Sequence, residues 1–542
     1  MPHADATFDP GAAADDSPWD ERSGRRATWG FVGLGVALRV AYYLLDFPLW
    51  WDEAFVAVNL LRRGYLDLLR PLDYGQVCPL LFLWAELAAV RLLGFSEWSL
   101  RLFPLMAATS SVILFRVAAG RVIQGRGLLI SVAIFAVAVH PIRHGADVKP
   151  YASDLLAAVA LLALAFAWAR QPDRAAPIWA LAVAGPIAIT LSHPAIFVVG
   201  GIGLATVRPA WKTKRPGVLA GFAASVILST VAFGGLYALT GRAQASAASP
   251  GMRAMWTRSF PPLDSPTGLI RWLATVHTGD LMAYPIGGER GASGLSLVLC
   301  IVGAVVLWRR GLGPAVGCVL APLGLAIAAA ALRRYPYGGP APHGSAARIM
   351  QYAAPGLCLL IGVGSSHLLS LVRSPSARSR ALRLGMAGLV VVGIVPVAVG
   401  AIRPYRAYQA RAARDFARVF WPATGRGAEV ADLRWDFVEV AEWDSIRLGI
   451  AVSLCDEAIY SPSRRSGGPR FDRVTADRPL KCVLGVAPEV DSPAVVRWLG
   501  AMQGRFEIRR RETIEVETAE PGRPSSRERY EVFEFIPKVA GR

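Results

Sequence analysis

From position 30 to position 402 the chain repeats one pattern, an apolar run of about 15 to 24 residues followed by a short connection rich in Arg, Gly and Pro. Runs of that length fit helices that cross a hydrocarbon core about 30 Å thick. They predict spans at 30–49, 99–116, 127–142, 152–169, 176–191, 194–207, 217–240, 292–308, 312–331, 348–371 and 384–402, about eleven in all. Segment 79–94, PLLFLWAELAAVRLLG, is apolar too, but it is short and holds Glu86 and Arg91. It is predicted to lie along the membrane interface. The expected fold is an all-α polytopic membrane protein.

The basic residues give that fold a direction. With 79–94 left out of the count, alternate connections hold Arg116, Arg121 and Arg126, then Arg170 and Arg174, then Arg208, Lys212, Lys214 and Arg215, then Arg309 and Arg310, then Arg373, Arg378, Arg380 and Arg383. All fall on one side together with Arg22, Arg25 and Arg26, and short basic loops are retained in the cytoplasm. The opposite, extracytoplasmic side receives 50–98, 143–151, 241–291, 332–347 and everything after 403. A bacterial-type inner membrane is the expected location, with residues 1–29 as a polar cytoplasmic tail and 30–402 as the membrane domain. Counting 79–94 as a span would scatter the polar motifs over both faces.

Residues 403–542 differ in kind. WDFVEV, CDEAIYS, KCVLGV and RYEVFEFIP are short β-rich runs bounded by charged and Gly/Pro-rich turns, with an amphipathic helical pattern near 491–503. They predict a small extracytoplasmic α/β domain. Cys455 and Cys482 would meet an oxidising compartment there and either pair or sit free in neighbouring strands.

Composition sharpens this picture. Of 542 residues 54% are hydrophobic and 18% charged, with a mean hydropathy of +0.39; soluble chains carry about 25% charged residues, which disfavours a water-soluble enzyme. The net charge of +18 would suggest nucleic acid in a soluble protein, but the Arg residues cluster in the connections and read as a topology signal, so no nucleic-acid partner is expected. The six Cys form no close-spaced ligand pair, so neither a zinc cluster nor a redox motif is predicted.

Three outward segments carry candidate chemistry. Trp50-Trp51-Asp52-Glu53 follows the first span. Tryptophans at that depth are ordinary interface anchors, but a carboxylate near hydrocarbon needs a cation, a metal or a proton. HPIRHGADVKPYASDLL contains His140, Arg143, His144, Asp147, Lys149, Tyr151 and Asp154. It reads either as an ordinary helix start with snorkelling side chains or as a second carboxylate beside a point charge for phosphate. Arg333-Arg334-Tyr335-Pro336-Tyr337-Gly338-Gly339 and then Arg348 put basic residues on the outer side, against the topology trend. They suit an anionic lipid phosphate, or pairing with Asp52, Asp147 or Glu289.

With these motifs in order, residues 30–402 resemble the integral-membrane GT-C glycosyltransferases, particularly bacterial relatives of protein O-mannosyltransferases and of the lipid A aminoarabinose transferase. WDE at 51–53, AVNLLRRGY at 57–65, GFSEWSLRLFP at 94–104 and HP…DVKPY at 140–151 carry the resemblance. The aminoarabinose branch has Lys-Pro before its second juxtamembrane helix, where this chain has Cys78-Pro79. That phosphate-binding role therefore does not transfer.

The resemblance implies an inverting transfer of a sugar from a polyprenyl-phosphate or pyrophosphate donor to an extracytoplasmic lipid, glycan or protein acceptor. It casts Asp52 as the base, supported by Glu53, with Asp147 binding acceptor or metal. Lys149, Arg333, Arg334 and Arg348 would face the donor phosphate, and Tyr74, Gln76, Tyr151 and Asp154 the sugar or acceptor. A divalent metal on Asp52 and Asp147 is a candidate, and two carboxylates neither fix its identity nor establish that the chemistry requires it. A lipid or solute transporter would instead show broken spans in two related halves, and a noncatalytic envelope scaffold would place its binding in the C-terminal domain.

Overall fold

The computed structural model describes residues 21–72, 75–247, 256–338 and 345–404. Beyond these it describes Arg411, Arg414, Gly500 and 429–431, 480–485, 503–518 and 526–538. The principal helices are α1 Glu21–Leu44, α2 Trp51–Arg62, α3 Leu80–Leu93, α4 Glu97–Ala119, α5 Gly125–Val137, α6 Val139–Arg143, α7 Tyr151–Arg170, α8 Ala176–Leu191, α9 Ala195–Thr213, α10 Pro216–Leu236, α11 Pro266–His277, α12 Ser293–Arg309, α13 Gly313–Ala331, α14 Ala354–Ser370 and α15 Pro375–Ile402. Among the described residues seven helices are long and apolar enough to cross a membrane, or eight when α5 and α6, bent by 45°, form one span. Two further apolar helices, α8 and α12, are shorter. With α9, each of the eleven predicted positions carries a helix, and the protein is a multi-pass helical membrane protein.

The chain divides into two compact units. The first comprises 1–44, 77–85 and 101–398. In it α1 packs on α5, α5 on α14, α14 on α12, α13 on α9, and α8 on both α7 and α10. Lipid is as apolar as Leu, so such contacts are driven by close backbone approach at small residues. Gly303 of α12 and Gly364 of α14 show this directly: a Cβ on either would collide with the carbonyl of Leu360 or Leu299 on the other helix. On the far side of α14, Gly362 lies against Ser131 of α5, whose hydroxyl donates to the Leu359 carbonyl at 3.2 Å.

The second unit comprises 45–76, 86–100 and 399–542. Its described strands are β1 Glu429–Ala431, β2 Leu480–Gly485, β3 Phe506–Thr518 and β4 Ser526–Pro537, in the order β1-β2-β4-β3. β1 and β2 are parallel and the other pairs antiparallel, with a bulge at Arg510/Glu512 in β3. KCVLG of the first and RYEVFEFIP thus lie in β2 and β4. WDFVEV, CDEAIYS with Cys455, and most of the 491–503 segment lie outside the described residues.

Candidate active site

In the second unit, α1 has ended and the chain turns at Asp46, which adopts a left-handed φ of 47°. Arg414 holds this turn. Its guanidinium donates to the Asp46 carbonyl at 2.8 Å and pairs with the carboxylates of Asp46 at 3.4 Å and Glu97 at 3.5 Å. Trp50 is extended, and α2 starts at Trp51. The two acids of WDE then take different places. Glu53 is fully buried and accepts the Trp50 backbone N–H at 3.3 Å, capping its own helix. Asp52 is only half-buried in the same first turn, where the amide dipoles favour a negative charge.

Behind them, Glu86 of α3 is 0% exposed, and neither carboxyl oxygen has a hydrogen-bond partner. Burial, reinforced by the charge of Glu53, raises its pKa well above 4.5, so it keeps its proton. Gln76 is buried, and Tyr74 lies outside the described residues.

The first unit holds the second motif. α5 stops at Val137 and the backbone breaks at Ala138, where ψ is 123°. The Val139 N–H donates to the Pro285 carbonyl at 3.0 Å instead of continuing the helix. α6 and a 3-10 turn over His144–Ala146 follow, all but Val139 and Arg143 of them buried. The His144 Nδ1 and Asp147 Oδ2 are 2.7 Å apart. His144 stacks at 6.3 Å on His140 and meets the Tyr151 ring edge-on at 5.4 Å. Asp147, Lys149, Tyr151 and Asp154 are all buried. Pro150 opens α7, and its carbonyl accepts the Asp154 N–H at 2.8 Å and the Ser153 hydroxyl at 2.7 Å.

The third motif is split. Arg333 and Arg334 are exposed, and their backbone N–H groups close the C-terminus of α13. Tyr337 is fully buried, hydrogen-bonded to His277 Nε2 at 3.0 Å, and its N–H reaches the Ser259 carbonyl. The Asp280 carboxylate accepts the Ala347 N–H at 3.1 Å, and buried Arg348 lies 5.7 Å over the Trp256 ring. Segment 256–282 is therefore stitched to Tyr337, Ala347 and Arg348. Burial pushes the Tyr335 and Tyr337 phenols up, keeping both as neutral donors.

Asp52 and Asp147 belong to different units, and among the described residues no group of three or more His, Cys, Asp or Glu is placed to hold a metal. One Asp147 oxygen already faces His144. Arg414 and the His144–Asp147 bond leave little mark in the sequence. The i, i+3 spacing of the latter was the only signal.

This architecture is the fold of the GT-C glycosyltransferases. No family model and no curated protein matches the chain, so the likeness is structural. ArnT, the lipid A aminoarabinose transferase, from Cupriavidus metallidurans bound to undecaprenyl phosphate aligns with 93% of this chain and 98% of its own, at 12% identity and a TM-score of 0.50. Its apo form gives 0.49. The Archaeoglobus fulgidus oligosaccharyltransferase is similar over 73% of this chain at 12% identity and a TM-score of 0.44, and the chain spans 58% of its length.

Proposed function

We propose that the protein is an inverting glycosyltransferase that moves a sugar from a polyprenyl-phosphate or polyprenyl-pyrophosphate donor to an extracytoplasmic acceptor in the inner membrane. The placement of WDE at the start of α2 carries this reading: Glu53 caps the helix from a buried position, and Asp52 stands half-buried in the same first turn. Asp52 takes the proton of an acceptor hydroxyl as that oxygen attacks the anomeric carbon. The bond from that carbon to the phosphate oxygen breaks, its electron pair leaves with the polyprenyl phosphate, and the configuration inverts. The bound undecaprenyl phosphate of the ArnT neighbour supports a donor of this class.

Lys149 and Arg348, both buried cations, are assigned to the charge growing on the departing phosphate. Arg333 and Arg334, exposed at the end of α13, suit first capture of the anionic headgroup better than the chemical step. Asp147, oriented by His144, holds the acceptor together with Tyr151 and Asp154, and Tyr74 and Gln76 contact the sugar. The outer loops and residues 403–542 face away from the cytoplasm, with residues 1–29 inside it.

Purified protein given a panel of polyprenyl-phosphate sugars should transfer or hydrolyse one of them, and Asp52→Asn should reduce turnover at least about 100-fold. Normal turnover by that variant removes the base. Silence across the panel, accompanied by movement of a solute through proteoliposomes, defeats the transferase reading.

A further inference from the structure

Inside the apolar run of α1, Arg39 is 1% exposed, and no carboxylate among the described residues pairs with it. A guanidinium in a membrane span is expensive and is retained for a definite partner. Here the partner is main chain. Its Nη1 donates at 2.9 Å to Gly35 O one turn back and at 2.9 Å to Ala136 O, and its Nη2 faces Phe135 O at 3.4 Å.

Those last two carbonyls are the final turn of α5, just before the break at Ala138. In an unbroken helix the Phe135 carbonyl would receive the N–H of Val139, which instead serves Pro285. Unsatisfied carbonyls within a membrane cost several kcal/mol each unless another donor reaches them. The planar fork of Arg supplies two in a fixed direction, and one ammonium does not reproduce that geometry. The stem of Arg39 also reaches the turn beyond the break. A Cβ on Gly145 would lie 4.0 Å from Arg39 Cγ and 2.9 Å from Ala108 Cβ, so the 144–146 turn is seated directly against α1 and α4.

The geometry points to Arg39 as a positioning residue that holds the broken α5–α6 span open and thereby fixes where His144, Asp147 and Lys149 stand. It touches no reacting atom. The assignment depends on the transferase reading only for its kinetic consequence, because the break itself is observable without turnover.

The test uses the full-length protein in lipid nanodiscs, with Arg39→Met to keep bulk and remove the donors, and Arg39→Lys to keep the charge and lose the fork. Hydrogen exchange over 138–149 should quicken at least about tenfold in R39M, while α13 and α14 keep their protection. R39K should fall between R39M and wild type. With a polyprenyl-phosphate sugar that the wild type turns over, kcat should fall about tenfold or more and KM should stay within about twofold. Wild-type exchange over 138–149 in R39M, or protection lost evenly across all spans, overturns the proposal. A raised KM at unchanged kcat would make Arg39 a donor-binding group instead, and also overturns it. Should R39M fail to insert, R39K decides: full wild-type exchange there is equally fatal. Local loosening in a protein that transfers no sugar would leave the positioning role standing and remove the transferase reading alone.

Discussion

Glu86 should give the stability of this protein a pH dependence of known sign. Its side chain is fully buried, neither oxygen has a hydrogen-bond partner, and burial first and Glu53 second hold its pKa well above 4.5. The folded chain therefore binds this proton over a pH range in which the unfolded chain has released it. The contribution is fully present below about pH 4.5 and is lost as pH rises towards the folded value, with a slope of about 1.4 kcal/mol per pH unit for one proton. Glu86→Gln keeps the shape and removes the proton, so its stability should fall less steeply over the same range. Glu86→Leu also removes two buried atoms that lack partners, each costing about 1–3 kcal/mol, and should be the more stable of the two at neutral pH. Equilibrium unfolding by SDS titration in mixed micelles, repeated from about pH 4.5 to 8, measures both slopes. Equal slopes in wild type and Glu86→Gln would show that Glu86 is ionised in the folded protein and refute the argument.

The remaining predictions concern packing. Gly364→Ala or Gly303→Ala places a methyl group against a facing carbonyl, and should lower stability by about 1–3 kcal/mol through separation of α12 and α14, read by thermal aggregation in detergent. An unshifted transition would mean that the two helices do not meet there. Tyr337→Phe deletes the bond to His277 and should cost about 1 kcal/mol, with faster protease cleavage within 256–282 as the specific sign. Unchanged cleavage would show that the bond to Tyr337 is not what holds that segment.

The spans were legible because a hydrocarbon core imposes one length and one composition on every crossing. Their ends were less so. The first apolar run suggests 30–49, whereas α1 occupies Glu21–Leu44, since the Arg-rich residues before 30 continue the helix and the left-handed Asp46 ends the approach to Phe47-Pro48. β3 is not legible in the pattern, because FEIRRRETIEVET alternates with charges and lacks the apolar density of KCVLGV. At the candidate site the acids announced themselves as charges beside hydrocarbon, but the pattern could not show which of Asp52 and Glu53 is spent on the helix cap. Arg39 was submerged in an otherwise apolar run. In the sequence Glu86 reads only as a reason against a span, since a buried proton leaves no mark there.

The seams on α14 also set an order of assembly during synthesis. Ser131 and Leu359 meet across 228 positions, so at about 5–20 residues per second α14 emerges roughly 11 to 46 s after the helix it must join. Gly303 waits for Gly364 for a shorter time, and until then both small-residue faces contact lipid or the insertion machinery. One late helix closes both. A ribosome that stalls before residue 354 would thus release a bundle open along two faces at once, the kind of product that membrane quality control removes, whereas loss of the chain after 370 would leave both seams shut.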